Sequence, residues 1–180
     1  MQCCGGLYRM KVKRICKIGI LSAFIALCAW ITVPGPVPFT LQTFAVFLAI
    51  MLLGGKDGFF AIAVYVVLGI AGLPVFSGFR SGIGVLLGAT GGYIVGFLIT
   101  PFIMLPFENR GRAARIISSA AALVTCYIFG TLWYAFVYMS GGKEFDFISV
   151  LLACVAPFII PDIIKITLSF VVSERIRDKI

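Results

Sequence analysis

The chain contains no histidine, and only seven of its 180 residues are acidic. Without histidine the usual Cys and His zinc spacings cannot be built, and neither can a Ser/His/Asp or Cys/His nucleophilic set. Charge of either sign is scarce: 12% of residues are charged against 61% hydrophobic, and the mean hydropathy is +1.11. That leaves too little polar surface to cover a soluble globule, which places the chain in a bilayer. A phosphate-binding GxxxxGK[ST] loop is also missing, because Gly54-Gly55-Lys56-Asp57 and Gly141-Gly142-Lys143-Glu144 lack its spacing and its terminal hydroxyl. The chain has the means to bind a ligand but no engine of its own. Of the six cysteines (Cys3, Cys4, Cys16, Cys28, Cys126, Cys154), three fall in apolar spans and none in the outer loops, which argues against a disulfide framework.

The few charges divide the chain into long uncharged stretches, and a spanning helix needs about 20 mostly apolar residues. Pro34, Pro36 and Pro38 interrupt the first stretch, so it reads as two helices joined by a hairpin. The expected fold is an all-α integral membrane bundle of six transmembrane helices. They run over Ile18 to Val33, Phe39 to Gly54, Gly58 to Leu73, Leu86 to Phe107, Arg115 to Met139, and Pro161 to about Arg177. The chain is one membrane domain, 1–180, with a basic N-terminus over 1–17 and the bundle over 18–180. The basic cluster before Ile18 is read as the flank of a first span and not as a signal peptide, since no convincing small-residue cleavage site follows.

Basic residues fix the direction. With the N-terminus cytoplasmic, twelve of them fall on the cytoplasmic side (Arg9, Lys11, Lys13, Arg14, Lys17, Lys56, Arg110, Arg112, Arg115, Arg175, Arg177 and Lys179) and only Arg80 and Lys143 outside. Both termini are therefore expected in the cytoplasm. The net charge of +8 is explained by helix ends at a membrane and does not call for nucleic acid.

Between Phe147 and Ser173 only two charges occur, Asp162 and Lys165. Each costs roughly 2.5 to 3.5 kcal/mol inside an apolar segment, so such groups persist where they face protein, a partner or a polar ligand. Three residues apart, they share one helix face. Pro161 suits the first helical position, and Asp162 then lies in the first turn, favoured by the helix dipole. The helix starts near the outer surface on this reading, and the pair sits near the outer mouth. Either it is a mutual ion pair, or Asp162 accepts ligand N–H groups while Lys165 donates to a carbonyl or carboxylate.

Other polar groups gather at the same end. The proline hairpin leads into Phe39-Thr40-Leu41-Gln42; Thr40 is an N-cap or part of a lid over a ligand, and Gln42 both donates and accepts. The connection Pro74 to Gly84 alternates glycine with aromatics around Arg80. Main-chain N–H groups at Gly82 and Gly84 can meet a ligand there, with Phe76 and Phe79 as walls. Gly88, Gly92 and Gly96 permit close helix packing, while Thr90 and Tyr93 share a face that is able to line a cavity. On the first helix Gly19, Ser22, Ala23, Ala26 and Ala29 form a ridge of small residues for another helix, inside the bundle or from a second protein.

Four separated motifs then appear in one order: Pro36-Val37-Pro38-Phe39-Thr40-Leu41-Gln42-Thr43; Tyr65 through Gly69-Ile70-Ala71-Gly72-Leu73-Pro74-Val75-Phe76; Gly82-Ile83-Gly84-Val85-Leu86-Leu87-Gly88-Ala89-Thr90-Gly91-Gly92-Tyr93; and Pro157-Phe158-Ile159-Ile160-Pro161-Asp162-Ile163-Ile164-Lys165. Together they resemble the BioY family, biotin-specific substrate-binding components of energy-coupling factor (ECF) transporters. Ala89, where that family often has proline, and Ile160, before Pro161, depart from its pattern. The resemblance implies a multi-pass protein of the bacterial plasma membrane that captures biotin near its outer face. It also implies partners, a transmembrane coupling protein and two cytoplasmic ATPases that use the ATP, and it places Ser22 and Ala26 against the coupling protein. No cofactor or metal is implied. Biotin's ureido ring carries two N–H groups and a carbonyl, matching Asp162 and Lys165; its apolar parts suit Phe39 and Phe76, and its carboxylate suits Arg80 or the glycine-loop N–H groups. Weighed against this are a secondary carrier or small channel, a binding component for another vitamin, and, weakest for want of a nucleophile and base, a membrane enzyme.

Overall fold

The computed structural model of the chain describes residues 2–35, 37–140 and 147–177, with side chains from position 11 onward except at 147–149 and 153. Pro36, Lys143 and Lys179, used in the sequence reading, lie outside the described residues, as do the side chains of Cys3, Cys4 and Arg9. The helices are α1 Gln2–Trp30, α2 Gln42–Leu53, α3 Gly55–Ile70, α4 Ile83–Leu87, α5 Gly91–Met104, α6 Arg112–Ser140, α7 Phe147–Cys154 and α8 Ile159–Arg177. Among the described residues one helix, Arg112–Ser140, is long and apolar enough to cross a membrane; Gln42–Leu53 and Gly91–Phe107 are apolar but shorter.

Helix α2 carries no charge and is apolar on every side, the pattern of a central helix. Gln42 through Met51 are all buried, enclosed by α1, α3 and α8. Helices α5 and α6 pack most extensively against each other, and glycine is the reason. A Cβ on Gly92 would overlap the Trp133 side chain, and one on Gly96 would lie 2.9 Å from Cys126 Sγ. Large apolar side chains cover the outside instead, among them Ile20, Leu27, Val67, Phe102, Ile117, Leu132 and Ile164, as expected of a surface in contact with lipid.

Several expectations change. The stretch from Leu86 to Phe107 is not one helix: it breaks between α4 and α5, and Gly88 falls in the break, where its carbonyl accepts from Trp133 Nε1 at 3.0 Å. Gly88 therefore does not share a helix face with Gly92 and Gly96. The proline hairpin forms a minimal antiparallel ribbon, Thr32–Val33 with Phe39–Thr40, because its prolines lack the N–H groups a longer ladder needs. Helix α7 was not anticipated. Helix α8 begins at Ile159, so Pro161 stands in the third helical position, where its missing N–H is still one of the four with no partner within the helix.

The ridge on α1 divides in two. Ser22 and Ala26, the expected partner contacts, are 2% and 8% exposed and face the bundle interior. In this chain by itself they pack against its own helices. Gly19 and Ala23 are exposed, and nothing lies within 4 Å of a Cβ built on Gly19.

Candidate functional site

The two charges of α8 are buried together: Asp162 is 4% exposed and Lys165 6%. Lys165 Nζ donates to Asp162 Oδ1 at 2.8 Å and to the Thr40 carbonyl at 2.6 Å, and it lies 3.8 Å from the centre of the Phe39 ring. The other carboxylate oxygen, Oδ2, accepts from the Tyr127 hydroxyl at 2.6 Å. The carboxylate is thus held by one charged and one neutral donor from different helices, the satisfaction a buried charge requires. Nearby, the Thr40 hydroxyl accepts the N–H of Gln42 at 3.3 Å, which ties the hairpin to the start of α2. The N-cap of α2 is Leu41, without a side-chain cap bond, so Thr40 is not the cap that was expected and stands one residue before it, beside the pair.

These residues line a cavity that opens on one side, with about 660 Å³ of space in and around it, the open mouth included. Thr40, Gln42, Thr90, Tyr93, Asp162 and Lys165, six of the residues singled out in the sequence, all border it. Tyr93 is oriented by Thr131 at 3.3 Å and by the Cys154 carbonyl, to which it donates at 3.2 Å. Phe39 reaches the site through Lys165 and stacks on Phe158, ring centres 6.1 Å apart; Phe158 itself lines the cavity.

One unsatisfied group stands out on the wall. Among the described residues Gln42 Nε2 is buried with no partner at hydrogen-bond geometry, and the Tyr65 hydroxyl, also unsatisfied, is the polar group near it. An unpaired buried amide costs about 1–3 kcal/mol, a cost that an incoming acceptor removes.

The glycine-rich loop is corrected. Phe76 is fully buried, but it packs edge-on against Tyr65, ring centres 5.6 Å apart, over Gly69, where a Cβ would overlap its ring. It anchors the loop to the core and does not border the cavity. Phe79 stacks on Trp30 at 4.9 Å, and Trp30 Nε1 donates to the Pro74 carbonyl at 2.8 Å. Arg80 and Gly84 are exposed, Gly82 is half-buried, and all three lie outside the cavity wall. Ser77 is the residue this loop contributes to the wall.

Sequence reasoning missed Tyr127, Thr43, Phe97, Cys126, Cys154 and Phe158 on the wall. Tyr127 had a signal available, since it lies four residues before Thr131 on the same face of α6, but without the fold nothing tied that face to Asp162.

The fold is an all-α bundle with an apolar exterior and a mostly apolar cavity whose wall carries a buried carboxylate–ammonium pair, the architecture of a small-molecule binding protein. The chain belongs to the BioY family, whose family model matches residues 6–180. It is 39% identical over 169 residues to the "Probable biotin transporter BioY" of Pyrococcus horikoshii, covering 93% of this chain and 98% of that protein. It is 37% identical to the "Biotin transporter BioY" of Thermotoga maritima, covering 92% and 96%. A crystal structure of the S-component for biotin from an ECF-type ABC transporter superposes with a TM-score of 0.83 at 28% identity, covering 94% of this chain and 93% of that one.

Proposed function

We propose that this chain is the biotin-binding component of an ECF-type vitamin uptake transporter in the bacterial plasma membrane. On this reading it spans the bilayer six times with both termini cytoplasmic, and it has no enzymatic activity. Ligand binding is its task, while a transmembrane coupling protein and two cytoplasmic ATPases supply the energy. Its outward-facing Gly19 and Ala23, a small pair one turn apart on α1, are the surface offered to the coupling protein.

The observation that carries the reading is the Asp162–Lys165–Tyr127 cluster on the cavity wall that Gln42 also lines. Biotin's ureido ring has two N–H groups and one carbonyl. The spare lone pairs of Asp162 take the N–H groups, and Gln42 Nε2 donates to the carbonyl. Lys165, already committed to Asp162, the Thr40 carbonyl and the Phe39 ring, holds the carboxylate in place. The thioether ring and aliphatic tail lie along Ile94, Phe97, Leu123 and Phe158, and the tail points toward Ser77 and Thr90, the polar groups that the outer loops contribute.

Copurification followed by mass spectrometry of the retained small molecule tests this. Biotin is expected in stoichiometric amount; thiamine or riboflavin in its place would overturn the ligand assignment.

A further inference from the structure

A second polar cavity lies at the far end of α2 from Gln42, about 18 Å along the helix axis. It holds about 630 Å³ of empty space, mouth included, between the C-terminal end of α2, the loop before α6, the first turns of α6 and the end of α8; Glu108, Asn109, Arg115, Ser118 and Arg177 are its polar lining.

Arg115 sets its chemistry. This residue is 8% exposed, with its guanidinium 5.2 Å from the centre of the Phe170 ring. One terminal nitrogen, Nη2, is hydrogen-bonded to Glu174. The other, Nη1, is buried with no partner among the described residues. Leaving a charged donor unpaired away from water costs more than leaving a neutral one, so a site built this way lacks an acceptor.

The carboxylates nearby do not supply one. Glu174 is held by Arg112, at 2.9 Å, as well as by Arg115. Glu108 accepts the N–H of Gly55 at 2.8 Å, at the positive end of α3. Among the described residues that line the cavity the charged ones are Arg115, Arg177 and Glu108, so one positive charge is in excess there. The N-terminal end of α6 adds its dipole in the same sense.

We infer that this cavity binds a phosphate group. A tetrahedral anion offers several acceptors at once, which suits the guanidinium fork of Arg115 with Arg177 and the Asn109 amide around it. Basic pockets between helix ends are also where anionic lipid headgroups seat. The group is either free phosphate or the phosphodiester of a membrane lipid, and its effect is to tie the ends of α6 and α8 together. The inference does not depend on the ligand of the first cavity.

The test uses the full chain in detergent, with thermal unfolding followed in sodium phosphate and in sodium chloride of equal ionic strength. Phosphate is expected to raise the melting temperature above the chloride value. Arg177→Gln, an exposed change at the rim, is expected to remove at least half of that gain, and Arg175→Gln, which is off the cavity wall, to retain it. Native mass spectrometry of freshly purified protein separates the sources. A phosphatidylglycerol adduct that Arg177→Gln loses identifies the lipid, whereas a phosphate-dependent shift with no adduct identifies the free anion. Equal melting in the two salts with no lipid adduct, or a gain and an adduct that Arg177→Gln leaves intact, would overturn the assignment.

Discussion

Replacing Asp162 with asparagine keeps the shape of the side chain and removes its charge, so it separates ligand binding from packing. In the wild type, Lys165 and Tyr127 each donate to one carboxylate oxygen, at 2.8 and 2.6 Å. The amide retains only one oxygen, so one of these donors meets an N–H group. Hydrogen bonds to charged acceptors contribute about 1.5–3 kcal/mol each, and every 1.4 kcal/mol is tenfold in affinity. Losing one ureido bond to the carboxylate should therefore weaken biotin binding roughly 10- to 150-fold. Stability should fall as well, because removing one partner of a buried pair costs about 3–5 kcal/mol. Lys165 keeps the Thr40 carbonyl, which places the loss at the lower end of that range. A double variant, Asp162→Asn with Lys165→Met, leaves no charge stranded, and it should recover most of the stability while binding stays weak. Isothermal titration calorimetry and thermal unfolding in the same detergent measure both quantities. Binding by Asp162→Asn within about twofold of wild type, well under the tenfold that a 1.4 kcal/mol loss gives, would refute the reasoning.

Other residues give contrasting outcomes. Tyr127→Phe removes a single donor to the carboxylate and should lower biotin affinity about tenfold, near the 1.5 kcal/mol end for a charged acceptor, in the same titration. Arg80→Ala changes an exposed side chain off the cavity wall, and affinity should stay within about twofold because no buried bond to the ligand is lost. Gly92→Leu forces a side chain into Trp133 across the α5–α6 contact. Overpacking of that kind costs about 1–3 kcal/mol, visible as a lower melting temperature, with affinity of the folded fraction much less affected.

Much of the site was legible because charge is so rare in this chain. Asp162 and Lys165 were conspicuous only because the apolar run around them made their burial expensive, and Gln42 and Thr40 because a polar pair opened an otherwise apolar helix. Glycine spacing foretold the α5–α6 contact through Gly92 and Gly96 for the same local reason. The misreadings share a different cause. Phe76 and Arg80 were placed by residue type, yet whether a phenylalanine walls a cavity or plugs the core depends on what faces it, here Tyr65 and Gly69. Likewise, which side of α1 turns outward is set by the helices packed against it. Tyr127 joins the site only through the approach of α6 to α8, a long-range contact without a local pattern. The break between α4 and α5 follows from the extended backbone of Gly88 ahead of the turn at Thr90, which an apolar, glycine-tolerant run does not announce.

The most direct measurement of the central claim is equilibrium binding of labelled biotin to the purified chain, without nucleotide and without partner subunits. The account predicts saturable binding of one biotin per chain that excess unlabelled biotin displaces and thiamine or riboflavin does not. Absence of saturable binding, or displacement by either of the other vitamins, would contradict it.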